Sequence, residues 1–102
     1  MVIFEAKLEN RNLFDEVIAV TADAEQVIVS SLDGGDLIQV IVPIVSIIAP
    51  LVAQTVQKLF ADNRATIKYD GIEISAIGYD NAMKMFKEID NLKRGKGKEN
   101  EY

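Results

Sequence analysis

The sequence predicts a small α+β domain, and three observations lead to that fold class. Residues 2–8, VIFEAKL, alternate apolar and polar side chains as a half-buried strand does. Asp70-Gly71 lies between two alternating segments, which is typical of a β-hairpin with a type I′ turn. Residues 81–92 place apolar side chains at helical spacing behind a capping aspartate. Strands and helices in this arrangement are characteristic of α+β domains.

The predicted hairpin can be checked against its own side chains. A two-residue turn fixes which residues of the two strands face each other. The resulting pairs are Tyr69 with Ile72, Lys68 with Glu73, and Ile67 with Ile74. The apolar pairs then share one face, and the two opposite charges meet on the other. Because turn chemistry, apolar pairing and charge agree, the sequence predicts both the hairpin and its register.

Two further elements are predicted in the first third of the chain. Asn12 can cap a helix whose first turn holds Asp15 and Glu16, where acidic side chains complement the helix dipole. The β-branched residues of VIAVT, residues 17–21, leave a strand as the alternative. Residues 26–31, QVIVSS, are predicted to form a strand, and the acidic, glycine-rich break after them to form a turn.

The central segment DLIQVIVPIVSIIAPLVAQTVQKLF carries no charge between positions 37 and 57. Pro43 and Pro50 lack the N–H that a central strand needs, so we expect a helix over about 37–61 instead. Asp36 would be its N-cap, and the prolines would bend it. The expected order of elements is therefore β-α-β-α-β-β-α, in which the second helix is long, apolar and bent at proline.

The length of 102 residues fits one domain, which we expect to span residues 1–92. The remainder, KRGKGKENEY at 93–102, has no apolar pattern and is expected to be a disordered charged tail. The N-terminal segment has neither the basic nor the apolar region of a signal peptide.

Composition argues against several classes of function. The chain has no Cys, which removes disulfides, thiolate nucleophiles and zinc–thiolate sites, and no His, the commonest general base. The acidic pairs Asp15/Glu16 and Asp33/Asp36 lack an apolar setting or an aromatic platform for acid–base chemistry. A net charge of −5 does not suit binding to nucleic acid. We expect a protein without enzymatic activity, cofactor or metal.

The long apolar helix predicts an interaction surface. A helix that is apolar on all sides must be buried on all sides, and so small a domain can cover only part of it. The uncovered part would mediate association, as exposed apolar patches commonly do. The residues expected there are Leu37, Ile41, Ile44, Val45, Ile48 and Val52. The expected partner is a second copy of the chain, giving a homo-oligomer, or an effector protein.

A membrane role is the alternative for the same segment. About 20 apolar residues can cross a bilayer, and the basic residues that follow would place the C-terminus in the cytoplasm. Neither Trp nor Tyr flanks the segment as an interfacial anchor. Strands on either side that pair in one sheet would also keep both ends on the same side. These points favour burial within a cytoplasmic domain over a membrane association of residues 37–57.

The segments SSLDGGDLIQVIVPIVSIIAPLVAQTVQKLF and TIKYDGIEISAIGYDNAMKMFKEI resemble small bacterial proteins of the effector-associated constant component type. The resemblance covers roughly residues 28–92 and lies in element order and hydrophobic pattern. It implies a long apolar helix, a strand pair around a glycine turn and a closing helix. It also implies a non-enzymatic adaptor beside an effector, such as a protease, in a bacterial conflict system, with no catalytic residue.

Overall fold

The domain is a five-stranded antiparallel sheet with helices packed against one face, which confirms the α+β class. A computed structural model describes residues 1–30 and 35–99. The strands are β1 (Val2–Lys7), β2 (Glu25–Ser30), β3 (Asp36–Val42), β4 (Thr66–Tyr69) and β5 (Ile72–Glu73). Their order across the sheet is β2-β3-β1-β4-β5, so the first strand of the chain lies in the middle.

The helices connect these strands and cover one side of the sheet. They are a 3-10 helix (Leu8–Phe14), α1 (Asp15–Val20), α2 (Ile44–Ile47), α3 (Pro50–Phe60), a second 3-10 helix (Ser75–Ile77) and α4 (Tyr79–Glu99). A single apolar core lies between the two layers. Phe4 is at its centre because β1 pairs it with Val40 on one side and Ile67 on the other. The ring of Phe14 packs at 6.3 Å from the Phe4 ring.

The predicted helix over about 37–61 is wrong, because its first part is strand β3. Buried and half-buried residues alternate along β3, as a sheet with one covered face requires. Val42 ends the strand before Pro43, whose ring favours an extended residue in front of it. Pro50 occupies the first turn of α3, where a missing N–H costs nothing, and Ala49 before it is extended with ψ 135°. Both prolines are therefore boundaries between elements and not bends within one helix.

All three predicted helix caps are wrong, and Asp80, expected to cap the last helix, lies within the first turn of α4, which begins at Tyr79. Asp36 is the first residue of β3 and caps no helix. Asn12 lies inside the first 3-10 helix, and the residue before α1 is Phe14, which offers no side-chain cap. Asp15 and Glu16 do occupy the first turn of α1, where the helix dipole favours acidic side chains. Helix α1 forms despite its β-branched residues because it buries Val17 in the core.

The hairpin and its register are confirmed. Strand β4 pairs Tyr69 with Ile72 and Lys68 with Glu73, and the N–H of Ile74 donates to the Ile67 carbonyl at 2.7 Å. Asp70 and Gly71 have φ of 53° and 81°, the two positive values that a type I′ turn requires.

The last helix is longer than predicted. Ala82, Met83 and Phe86 are buried as expected, whereas Leu92 is 66% exposed and lies outside the core. Helix α4 continues to Glu99, into the segment expected to be disordered. Once a helix has formed, each further residue that is ordered adds one backbone hydrogen bond, so extension is easier than starting a new helix. Residues 100–102 of that predicted tail lie outside the described residues.

Replacing Phe4 by alanine is expected to lower the free energy of unfolding by about 3–5 kcal/mol, because it removes a fully buried ring that the two neighbouring strands hold in place. Urea denaturation followed by circular dichroism measures the loss. Ile72→Ala, at a side chain 66% exposed, should stay within about 0.5 kcal/mol of the native chain. A loss below about 1 kcal/mol for Phe4→Ala would show that Phe4 is not a core residue.

The loop between α3 and β4 should contain an unusually acidic carboxyl group. Arg64 donates to Asp62 from Nε, from the terminal guanidinium nitrogen and from its backbone N–H, at 2.8 to 3.0 Å. The side-chain bonds, then the backbone bond, lower the pKa of Asp62 from 3.8 to about 2. Folding lowers this pKa, so the contact stabilises the folded state at pH values above 3.8. That contribution to the free energy of unfolding is lost as the pH falls through 2. An NMR titration of the carboxyl carbon should show this pKa, and Arg64→Ala should return it toward 3.8.

Candidate interaction surface

The two edges of the sheet differ greatly in length. Strand β5 forms one edge and has only two residues, whereas β2 forms the other and has six. Val27 and Ile28 of β2 are 39% and 63% exposed. Strand β2 contains neither Lys nor Pro, and its register with β3 runs from Glu25 to Ser30 without a bulge. Lysine, proline and bulges ordinarily protect a long edge strand from pairing with another chain. Strand β2 has none of the three and is therefore an unprotected edge.

The sheet face opposite the helices, called here the open face, has an apolar half and a polar half. The apolar half lies on β2 and β3 and consists of Val27, Val29 and Leu37, all half-buried or exposed, whereas Ile41 lies beyond Gln39 and opposite Glu25. Side chains that alternate with the core residues must point to this side. The apolar half of the open face is therefore continuous with the unprotected edge.

The polar half of the open face is held together by Glu5 in the central strand. Its two carboxylate oxygens accept a hydrogen bond from Gln39 Nε2 at 2.8 Å and one from Lys68 Nζ at 3.5 Å. The Glu5 side chain is only 16% exposed, so its charge depends on these donors more than a surface charge would. Lys68 also lies opposite Glu73 of β5. The three strands β3, β1 and β4 are thus linked by polar side chains that already have partners.

The six residues predicted for the interaction surface do not lie together. The structure divides them into three pairs: Leu37 and Ile41 on the open face, Ile44 and Val52 in the core, and Val45 and Ile48 on and just after α2. The core pair is at most 6% exposed and cannot meet a partner. The prediction of one helical surface is wrong because the helix on which it was placed does not exist.

Two grooves on the domain carry mixed charge. One, of about 450 Å³, lies where the α2–α3 corner meets the start of α4, and its basic residues are Lys84 and Lys87. The other, of about 840 Å³, lies where β1 ends and β3 begins, and contains Lys7, Arg11 and Asp36 among its lining residues. Across residues 1–30 and 35–99 there is no group of three acidic side chains placed to hold a metal ion.

Sequence reasoning did not identify Val27, Ile28 and Val29 as surface residues. The sequence predicts the strand itself, but its place at an edge depends on pairing with β3, where the sequence predicts a helix. One signal was present: the run QVIVSS is apolar on both faces at its centre, whereas a strand exposed on one side usually alternates.

Comparisons with known protein families, with curated proteins and with solved structures found no match in any of the three. In the part of the chain that the structure describes, no helix has both the length and the apolar character needed to cross a membrane. The segment 37–57, considered as a membrane span, is divided among β3, α2 and α3.

Replacing Glu5 by alanine should lower the free energy of unfolding by about 1–2 kcal/mol, because Gln39 and Lys68 lose a partly buried acceptor. Glu16→Ala is the matched control, since Glu16 pairs with Lys58 at 3.3 Å but the two side chains are 62% and 72% exposed. An exposed pair of this kind contributes about 0.2–1 kcal/mol, so the loss should be smaller than for Glu5→Ala. Equal losses for the two variants in urea denaturation would show that Glu5 is not a structural acceptor.

Proposed function

We propose that this chain is a non-enzymatic protein-interaction module that binds its partner by strand addition at the β2 edge. The observation that carries the proposal is the six-residue, unprotected, apolar edge strand. Among residues 1–30 and 35–99, no strand neighbours the backbone N–H and C=O groups on the outer side of β2. An extended segment of a partner can pair with them, and main-chain hydrogen bonds then supply much of the affinity.

The side chains of β2 would select the partner. Val27 and Val29 offer apolar contacts on the open face, and Ile28 offers one on the helix side. An added strand meets these positions with alternate residues, so it must be apolar on both faces at its centre. Glu25 is the one charged side chain of β2 and lies at its end, away from the centre of the pairing.

A binding role without catalysis is supported by the absence of His and Cys from the chain. The polar half of the open face has a structural role, because Glu5 already accepts hydrogen bonds from side chains of the two neighbouring strands. The absence of Cys also fits a reducing cytoplasm. The proposed partner is a second copy of the chain or an effector protein, as expected for the apolar segment. The proposal does not depend on the resemblance to effector-associated proteins, whose long apolar helix is replaced here by β3, α2 and α3.

Ile28→Lys is expected to abolish partner binding while leaving the fold intact. A lysine at the centre of an edge strand opposes strand addition, because the added strand would have to cover its charge. The chain with a C-terminal affinity tag is expressed in its native cells, and the proteins recovered with it are quantified by mass spectrometry. Proteins bound at the edge should be recovered at least tenfold less with Ile28→Lys than with the native sequence.

Leu51→Lys is the matched control, because Leu51 is 62% exposed on α3 and Ile28 is 63% exposed on β2. It introduces the same charge at the same exposure on the other layer, and should recover the same proteins as the native chain. Thermal unfolding of both variants checks that they fold. If Ile28→Lys recovers the native set of proteins, or if Leu51→Lys loses it equally, the β2 edge is not the binding surface.

A further inference from the structure

We infer that the β2 edge pairs with the β2 edge of a second copy of this chain, about a two-fold axis at Ile28. This inference rests on the proposed function and names its partner. In antiparallel pairing, residues directly opposite each other point to the same face of the sheet. A two-fold axis perpendicular to the sheet therefore passes beside one residue, which lies opposite its own copy.

An axis at Ile28 gives the most extensive complementary pairing that β2 allows. Ile28 then faces Ile28 of the other copy, Val27 faces Val29 in both directions, and Gln26 faces Ser30 in both directions. Apolar side chains meet apolar ones, and polar side chains meet polar ones. The five residues from 26 to 30 of each strand take part.

The other registers are poorer. An axis at Val27 places the Glu25 carboxylate opposite Val29 and Gln26 opposite Ile28, so polar groups lose water without gaining partners. An axis at Val29 pairs only residues 28–30 and sets Ile28 against Ser30. The sequence of β2 thus favours one register for pairing with itself.

Charge is also compatible with this register. The Glu25 residues of the two copies lie three positions from the axis on opposite sides, which separates them by about 20 Å along the strands. That distance exceeds the screening length of about 8–10 Å in physiological salt, so the two acids do not oppose the pairing.

Burial supports the same arrangement. Ile28 is on the helix side of the sheet, yet it is 63% exposed because β2 extends beyond the helical layer. In the pair, the two Ile28 side chains cover each other. On the open face, Val27 and Val29 of both copies lie side by side across the axis, and Leu37 adjoins Val29 in each copy.

Single-cysteine variants test the register, because the chain has no cysteine of its own. Opposite residues in an antiparallel pair have Cα atoms about 4.5–5.5 Å apart, within the range a disulfide can bridge. Ile28→Cys should therefore give a cross-linked dimer under mild oxidation, resolved on a non-reducing gel. Val27→Cys alone should give no cross-linked dimer, because the Cα atoms of its two copies would lie about 8 Å apart. An equal mixture of Val27→Cys and Val29→Cys should give one, because these two residues face each other. Leu51→Cys, equally exposed on α3, measures random cross-linking.

Light scattering of the native chain gives an independent measurement. The expected mass is twice 11.3 kDa at high protein concentration, and Ile28→Lys should give 11.3 kDa throughout. Cross-linking of Val27→Cys in preference to Ile28→Cys, or cross-linking of Ile28→Cys no faster than Leu51→Cys, would overturn the register. A native chain that stays at 11.3 kDa at every concentration would overturn self-pairing. If such a monomer still recovers other proteins in an Ile28-dependent way, the proposed function stands and only this inference fails.

Discussion

The pairing of β1 on both of its sides is the constraint on which the rest of the structure depends. Strands β2 and β3 form one hairpin-like unit, and β4 and β5 form another. Isolated two-stranded units are marginal in water, and only β1 joins these two into a sheet large enough to carry a core. Phe4 illustrates this role, because it pairs with Val40 on one side and Ile67 on the other, and both lie far from it in the sequence. The domain therefore forms through long-range contacts and not by local assembly.

Elements whose evidence was local were predictable from the sequence. The hairpin at Asp70-Gly71 follows from turn chemistry and cross-strand pairs that lie within a few residues of one another. The buried face of α4 follows from helical spacing. Strand β3 was not predictable in this way, because a short apolar run bounded by proline fits both a buried strand and a buried helix. The order of the strands depends on which long-range pairs form, and no local pattern contains that information.

Pro43 and Pro50 explain why the central segment was misinterpreted. Each removes one N–H and restricts the residue before it, which is compatible with a bent helix or with a boundary between elements. The sequence predicts one continuous helix because neither proline can donate within a central strand and no charge lies between them. The structure needs no polar break, because β3, α2 and α3 each bury apolar side chains in the same core. Chain direction changes at the prolines while the apolar environment continues.

The short β5 strand has a consequence for assembly. When two copies join at β2, both long edges are consumed, and the outermost strands of the combined sheet are the two β5 strands. Each β5 is two residues long and is followed at once by a 3-10 helix, so it offers almost no backbone to a further chain. Association would therefore close at two copies, and the domain could expose an apolar edge without growing into filaments.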